Sequence, residues 1–158
     1  MSNLLAIGSQ SRYGVQFNFE AKDYQQEFLG TGGTRSALVV DDAPDIALML
    51  AFYLKRAGYR AVPVFSSSEA LDAARLEHFD VVISDIGLPV MDGYELARKL
   101  RALEDYLSTP MIAVTGFSEY DDREKALSAG FNAHVRKPVD PTKLVELVEQ
   151  LEAGSRPV

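Results

Sequence analysis

The sequence is short of the residues from which many catalytic and structural sites are built. It contains no cysteine, and only two of its 158 residues are histidine. The absence of cysteine excludes disulfide bonds and thiolate chemistry, and it is consistent with a cytoplasmic protein. Two histidines leave little room for a zinc site.

Long apolar runs and an excess of positive charge are also missing. No run approaches the roughly 20 residues of a membrane-spanning helix, and Met1–Ala6 has neither the basic start nor the length of a secretory signal. The net charge of -7 argues against binding to a phosphate backbone, although acidity can also serve solubility alone. With 47% apolar residues, the chain suits one domain with a tail or two.

The sequence does contain a regular alternation of short apolar runs and amphipathic segments. The apolar runs predict buried strands at 37–40, 61–65, 81–84, 111–114 and 133–136. The amphipathic segments predict helices at 44–57, 66–76, 94–103, 120–129 and 141–151. Five alternations with short connections are typical of right-handed βαβ crossovers. We therefore predict an α/β fold with a doubly wound, five-stranded parallel sheet and helices on both faces.

Residues 1–34 depart from this pattern. Val15–Phe19 alternates apolar and polar residues, which predicts a short strand, and Gly30–Thr34 is typical of a flexible linker. A phosphate-binding loop is the alternative for Gly30–Thr34, but the stretch lacks lysine and precedes a strand. We predict an N-terminal extension or linker over residues 1–34, one domain over residues 35–152 and a tail over residues 153–158.

Polar side chains stand at the carboxyl ends of four of the five predicted strands. Asp41 and Asp42 follow the first strand, Asp85 the third, Thr115 the fourth and Lys137 the fifth. In a parallel sheet these ends share one edge, and ligands bind there. Any one of these side chains could merely cap a turn, but four strand ends of complementary chemistry indicate a site.

The chemistry of this set favours phosphoryl transfer. Neighbouring carboxylates repel one another, and a divalent cation relieves the repulsion. Oxygen ligands without nearby histidine or cysteine favour Mg²⁺ or Mn²⁺, and such an ion usually binds phosphate oxygens as well. Thr115 and Lys137 can contact further phosphate oxygens. With Asp85 as the nucleophile on the central strand, the product would be an aspartyl phosphate.

These motifs resemble the receiver domain of two-component response regulators, and the resemblance covers about Arg35–Glu152. It is carried by the pair Asp41-Asp42, the stretch Asp85–Gly93, the triplet Val114–Gly116 and the stretch Val135–Pro138. The resemblance implies the flavodoxin-like receiver fold. It also implies a phosphoacceptor switch that is no enzyme beyond its own phosphorylation and dephosphorylation.

The resemblance assigns metal ligands. Asp42 and Asp85 would bind the ion directly, whereas Asp41 would act mostly through water. The backbone carbonyl of Gly87 would complete the protein ligands.

Further roles follow from the same resemblance. Asp85 would be the phosphoacceptor, and Thr115 and Lys137 would contact its phosphoryl group. Thr115 would act as a switch residue together with His134, which stands where many family members have an aromatic side chain. A histidine at the sheet edge without a signalling role is the open alternative for His134. The family also implies a cis peptide bond between Lys137 and Pro138.

The resemblance implies partners as well. A histidine kinase or histidine phosphotransfer protein would donate the phosphoryl group, and a downstream effector protein would respond. The usual signalling surface comprises the fourth helix, the fifth strand and the last helix, where a second copy could also bind. The protein would stand alone or form part of a hybrid histidine kinase, without direct nucleic-acid binding or a membrane span.

Other functions are compatible with the same fold. A flavodoxin-like electron carrier needs a loop after the first strand that accepts phosphate, and Asp41–Asp45 would repel it. A phosphatase with an aspartyl nucleophile usually has a second carboxylate two residues further on, where Gly87 stands. A receiver that serves only for interaction is a third alternative, against which the complete set of site residues argues.

Overall fold

The computed structural model describes residues 35–116 and 120–154, without the side chains of residues 120–122. The predictions for residues 1–34 and for the end of the tail at 155–158 lie outside the described residues.

Strands and helices alternate in the predicted order. The strands are β1 (Arg35–Val40), β2 (Tyr59–Val64), β3 (Val81–Asp85), β4 (Met111–Thr115) and β5 (Ala133–Arg136). The helices are α1 (Pro44–Arg56), α2 (Ser67–Leu76), α3 (Gly93–Arg101), α4 (Tyr120–Ala129) and α5 (Pro141–Glu152), with a 3₁₀ turn at Glu104–Tyr106. All neighbouring strands pair in parallel in the order β2-β1-β3-β4-β5. The predicted doubly wound fold is confirmed, with β3 at the centre.

The sheet is covered on both faces, which explains why its strands are nearly continuous apolar runs. On one face, Ala37, Val39 and Ile83 pack with buried residues of α1 and α5. On the other face, Leu38 and Val82 pack with buried residues of α2, α3 and α4. Every residue of β3 and β4 is buried. The two cores hold the strand ends rigidly at the sheet edge.

Several predicted elements differ from the structure by one or two residues at an end, β2 and α3 among them. The second strand begins at Tyr59 instead of Ala61, because the Tyr59 ring is buried in the core, and it ends before the partly exposed Phe65. The third helix ends at Arg101 instead of Leu103, because the chain then tightens into the 3₁₀ turn. Neither change moves a predicted site residue away from the sheet edge.

Caps hold the helices that begin near this edge. The Ser66 hydroxyl accepts a hydrogen bond from the Glu69 N–H at 3.1 Å, as in a capping box. The Glu69 carboxylate reaches back to the N–H of Phe65 instead of Ser66. Asp92 caps α3 by accepting from the Glu95 N–H at 2.9 Å. None of the described helices has the length and apolar character needed to cross a bilayer.

Candidate functional site

An acidic pocket lies at the carboxyl ends of β1 and β3. Asp41 and Asp85 are buried, with 1% and 6% of their surfaces exposed, whereas Asp42 is exposed. Each of the three offers a carboxylate oxygen, and these oxygens lie within 4.8 Å of one another. The structure therefore brings together the three carboxylates that the sequence places at separate strand ends.

The backbone around Asp85 fixes the direction of its carboxylate. The Ile86 N–H donates to the Val114 carbonyl at 2.9 Å, which continues the pairing of β3 with β4 beyond Asp85. The Gly87 N–H donates to Asp85 Oδ1 at 3.1 Å. Behind this turn, the loop returns so closely that a Cβ at Gly93 would overlap the Asp85 carbonyl oxygen and lie 2.7 Å from the Ile86 Cα. Glycine at position 93 is thus required by the loop that supports Asp85.

Asp41 is held in the same rigid manner on the neighbouring strand. Its Oδ1 accepts a hydrogen bond from the Ala43 N–H at 2.9 Å, which turns the chain into α1. Its Oδ2 is buried and lies 3.0 Å from Lys137 Nζ, but the alignment is that of an ion pair, without a hydrogen bond. This oxygen therefore has spare capacity to bind a cation.

Lys137 comes to the pocket from the end of β5. Its backbone N–H donates to the Thr115 carbonyl at 2.8 Å, and the peptide bond between Lys137 and Pro138 is cis, as the resemblance implies. Its Nζ lies 3.0 Å from Asp41 Oδ2 and 3.3 Å from Asp85 Oδ2. One ammonium group thus contacts both buried carboxylates.

Burial and charge shift the pKa values of this pair. Burial raises the pKa of Asp41 above its usual range, and the charge of Asp85 adds to the rise, while the Ala43 N–H and Lys137 oppose it. Burial alone would lower the pKa of Lys137, but contact with Asp41 and Asp85 outweighs it and raises that pKa. Lys137 therefore carries a positive charge at neutral pH. The three carboxylates together carry three negative charges when they are ionised, and Lys137 compensates one of them. Two negative charges in the pocket are then left uncompensated.

The donor set fits a hard divalent cation. It consists of carboxylate oxygens alone, and one of them, Asp41 Oδ2, is buried without a hydrogen bond. Such ligands suit Mg²⁺ or Mn²⁺ better than zinc. In the part of the chain that the structure describes, no other group of three acidic or histidine side chains could hold a metal ion. The predicted Gly87 carbonyl ligand stays a prediction.

The remaining predicted residues lie on β4 and β5. Thr115 is the last residue of β4 and is buried, with 5% of its surface exposed. His134 lies within β5, opposite Ala113, and is half-buried. This exposure is compatible with both interpretations of His134. The predicted switch roles of Thr115 and His134 stay predictions.

One feature near the site has no signal in the sequence. The Met91 N–H donates to the Pro89 carbonyl at 2.8 Å, and Val90 between them has a φ of 69°. A positive φ is usually occupied by glycine, asparagine or aspartate, so valine gives no hint of this turn. The hydroxyl of Ser67, which is buried, holds the loop by donating to the Met91 carbonyl at 2.6 Å.

Comparisons with known proteins agree with this geometry. The family model for the response regulator receiver domain matches residues 37–149. The 14.6 kDa protein in the sodA1 3′ region of Leptolyngbya boryana is 40% identical over 113 residues, which cover 72% of this chain and 86% of that protein. Sensor protein EvgS of Escherichia coli is 36% identical over 116 residues, or 73% of this chain, but the match spans only 10% of EvgS.

A solved structure with a bound ion is also similar. It is the receiver domain of sensor histidine kinase PA1611 from Pseudomonas aeruginosa, with magnesium coordinated in its active-site cleft. The two chains are 31% identical with a TM-score of 0.69, over 75% of this chain and 98% of that one.

Proposed function

Since the chain belongs to the response regulator receiver domain family, we propose that it is a phosphoacceptor switch of a two-component phosphorelay. Asp85 accepts a phosphoryl group from a phosphohistidine on a histidine kinase or histidine phosphotransfer protein, and the modified domain binds its partner differently. The observation that carries this proposal is the contact of one ammonium group, Lys137 Nζ, with the two buried carboxylates Asp41 and Asp85.

Asp85 is the nucleophile in this proposal. A carboxylate oxygen of Asp85 forms a bond to phosphorus while the phosphorus–nitrogen bond of the donor breaks, and the electron pair of that bond returns to the imidazole nitrogen. The Gly87 N–H holds Asp85 Oδ1, so the carboxylate is oriented before the donor arrives. The Asp85 side chain has little conformational freedom, because it is buried at the end of the central strand.

Asp42, Asp85 and the Gly87 carbonyl would hold Mg²⁺ or Mn²⁺, with Asp41 acting mostly through water. When bound, the cation neutralises charge on the phosphoryl oxygens during the transfer. The two uncompensated negative charges of the pocket support this assignment, and so does Asp41 Oδ2, which is buried and contacts Lys137 only as an ion pair. The magnesium ion in the PA1611 receiver domain is a precedent in a relative.

Lys137 and Thr115 complete the site. Lys137 Nζ, which contacts Asp85 Oδ2 at 3.3 Å, would stay with the phosphoryl oxygens once Asp85 is modified. The Thr115 hydroxyl would donate to another phosphoryl oxygen. Because the Thr115 carbonyl accepts from the Lys137 N–H at 2.8 Å, a movement of one strand end is transmitted to the other. His134 on β5 would respond, and the surface of α4, β5 and α5 would present the change to an effector or to a second copy.

The same family membership bears on whether the domain stands alone or forms part of a larger protein. The match to EvgS is compatible with a place in a hybrid histidine kinase, and the match to the Leptolyngbya boryana protein with a chain that stands alone. Cytoplasmic location is part of this proposal. An aspartyl phosphatase would need an acid where Gly87 stands, and a flavodoxin-like carrier would place a phosphate beside Asp41 and Asp42; neither has support from the site.

The test is labelling with a small phosphodonor. The protein is incubated with acetyl phosphate and Mg²⁺, and intact mass is measured. We expect the addition of one phosphoryl group in the wild type, and none in Asp85→Asn or in the wild type with excess EDTA. Labelling that persists in Asp85→Asn would overturn the assignment, and the absence of labelling in the wild type would overturn the function.

A further inference from the structure

Helix α1 has an outward face that is largely apolar. Phe52 and Tyr53 are 40% and 39% exposed, and their rings meet edge to face with 5.7 Å between centroids. Met49 lies one turn earlier and is partly buried, and Arg56 lies one turn later and is exposed. The Arg56 guanidinium is 5.8 Å from the centroid of the Phe52 ring. We define these four residues as the outer α1 face.

The outer α1 face is unusual for a helix that already packs on a sheet. The residues that α1 buries against the sheet lie on its other side, and they are Ala47, Leu50, Ala51 and Leu54. A helix with one side in the core normally turns polar residues to solvent. A single exposed apolar side chain needs no explanation, but two aromatic rings in contact, with Met49 beside them, form a patch. The outer α1 face thus has the composition of a surface that something covers.

The chain enters the domain close to this face. Arg35 at the start of β1 pairs in register with Tyr59 at the start of β2, and Tyr59 follows Arg56 by three residues. The Arg35 guanidinium lies 4.9 Å from the centroid of the Tyr59 ring and 2.9 Å from Glu152 Oε2. The Tyr59 ring belongs to the core between the sheet and helices α1 and α5. Arg35 therefore fixes the entry point on the side of the sheet that α1 covers.

The stretch that precedes this entry point, which lies outside the described residues, has a sequence that complements the outer α1 face. Ala21, Tyr24 and Phe28 recur at the spacing of one helix face, and Asp23 and Glu27 recur four residues apart beside it. The two aromatic residues suit an aromatic patch, and the two carboxylates suit a cation at its edge.

The linker is long enough for this contact. The five residues Gly30–Thr34 span up to about 17 Å when extended, whereas an α-helix is about 10 Å across. Residues 20–29 can therefore reach the outer side of α1 while Arg35 keeps its contacts. Because the linker holds the two partners together, docking within the chain has a lower entropic cost than binding of a separate protein.

We propose that residues 20–29 dock as an amphipathic helix on the outer α1 face of the same chain. Tyr24 and Phe28 pack against Phe52 and Tyr53, where aromatic rings contribute large contact areas. The acidic side of the segment lies towards Arg56. The domain thereby supplies the cover for its own exposed patch. This inference goes beyond the proposed function and does not depend on it.

The test is crosslinking in the full chain, which contains no cysteine of its own. Gln25→Cys, beside the apolar residues of the segment, is combined with Leu48→Cys, which is partly exposed beside the outer α1 face. The control pair combines Gln25→Cys with Arg75→Cys, an exposed position of α2 on the other face of the sheet. A short bismaleimide is added to dilute protein, and intact mass and peptide mapping identify the products. We expect the first pair to crosslink within one chain about tenfold faster than the control pair.

Two further substitutions in the segment separate docking from chance encounter. Phe28→Asp removes a central apolar contact, so the first pair should then crosslink as slowly as the control pair. Lys22→Gln lies away from both the apolar and the acidic residues of the segment and should leave crosslinking unchanged.

A thermodynamic cycle gives a second readout. Phe52→Ser should lower the melting temperature by about 3 °C more in the otherwise wild-type chain than in Phe28→Asp, because the segment covers Phe52 only in the former. Leu76→Ser, at a side chain of α2 that is 87% exposed, is the control and should have the same effect in both backgrounds.

Three results would overturn the proposal. Equal crosslinking of the two cysteine pairs, or crosslinking that Phe28→Asp leaves unchanged, would mean that the segment has no preference for α1. Crosslinks between chains in place of crosslinks within one chain would assign the outer α1 face to a second copy. An effect of Phe52→Ser that is the same in both backgrounds would leave the face to a separate partner protein.

Discussion

The two edges of the sheet are built in opposite ways. At the carboxyl edge, three carboxylates face a single ammonium group, one buried oxygen lacks a hydrogen bond, and Val90 is strained and exposed. At the amino edge, charged and polar groups are paired. The Arg101 guanidinium donates to the carbonyls of Gly130, Tyr106 and Thr109 and to Asn132 Oδ1.

Other contacts at the amino edge show the same pairing. Arg35 lies 2.9 Å from Glu152 Oε2, and the Tyr59 hydroxyl donates to the same carboxylate. Glu152 Oε1 is the exception at this edge, because it is buried without a hydrogen bond. The difference indicates that the amino edge contributes stability, whereas the carboxyl edge sacrifices some stability for function. The effects of substitutions on the free energy of unfolding should therefore differ in size and in sign between the two edges.

The largest effect is expected at Arg101. Arg101→Leu would leave the carbonyls of Gly130 and Thr109 without their donor, so we expect the free energy of unfolding to fall by about 3 kcal/mol. Urea denaturation measures this change. Arg98→Leu, at an exposed position of the same helix, is the control and should change stability by less than about 0.5 kcal/mol. Equal effects of the two substitutions would contradict the role of the amino edge.

The second-largest effect on stability is expected at Gly93. It tests whether the backbone at the carboxyl edge is rigid although the charges there are unfavourable. A Cβ at Gly93 would overlap the Asp85 carbonyl, so Gly93→Ala should cost about 2 kcal/mol in the free energy of unfolding and slow the labelling of Asp85 by acetyl phosphate. Gly116→Ala is the control, because a Cβ there meets nothing within 4 Å. A stable Gly93→Ala protein with normal labelling would show that the loop can move freely.

A smaller loss is expected at the Tyr59 hydroxyl. Burial and the neighbouring Glu152 raise the pKa of Tyr59 above its usual range, so the hydroxyl stays protonated and donates at neutral pH. Tyr59→Phe removes this donor from a carboxylate that is only 9% exposed, and we expect a loss of about 1 kcal/mol. Thermal unfolding measures the loss. Tyr53→Phe on the exposed part of α1 should be neutral.

The smallest change in the free energy of unfolding is expected at Asp41, and it should be a gain instead of a loss. Because the pKa of Asp41 is raised in the folded state, the folded protein binds this proton more tightly than the unfolded chain does. The ionised carboxylate therefore reduces stability as the pH rises above the ordinary carboxyl pKa. Without metal at about pH 7, Asp41→Asn should raise the free energy of unfolding by up to about 1 kcal/mol, and the gain should disappear below about pH 3.5.

Magnesium provides a second measurement for the same substitution. The wild type should gain stability from about 10 mM Mg²⁺, since an ion that binds only the folded state stabilises it. Asp41→Asn should gain less. Asp72→Asn, at an exposed position of α2, should respond to Mg²⁺ as the wild type does. A destabilised Asp41→Asn protein without metal would mean that its ion pair with Lys137 outweighs the burial and repulsion of the carboxylate.

The sequence predicts the fold and the location of the site well, because both depend on a simple repeat. Strands that are buried on both faces appear as short apolar runs, so a polar residue such as Asp85 or Lys137 at the end of a run is conspicuous. The parallel topology then requires these ends to meet. The sequence does not show which of Asp41 and Asp42 is buried, because only packing decides it.

Features that depend on distant contacts were not predictable. In the sequence, Arg101 resembles an ordinary cation at the end of a helix. Its acceptors at Gly130 and Asn132 are about thirty residues further along the chain. The predicted start of β2 was wrong, because Tyr59 and Arg60 resemble turn residues in the sequence. Only the structure shows that Tyr59 is buried in the core. Val90 was missed because its conformation is imposed by the loop against its own preference.

The contact between Arg35 and Glu152 also determines how the domain fits into a larger architecture. The polypeptide enters at the start of β1 and leaves at the end of α5, and the two points are bridged by an ion pair of 2.9 Å. A unit whose entrance and exit are adjacent can be transplanted between unrelated neighbours with little rearrangement. Because both connections emerge opposite Asp85, such grafting leaves the approach to the aspartate unobstructed. Evolution could therefore use the same module alone in a small protein and as one-tenth of a large sensor.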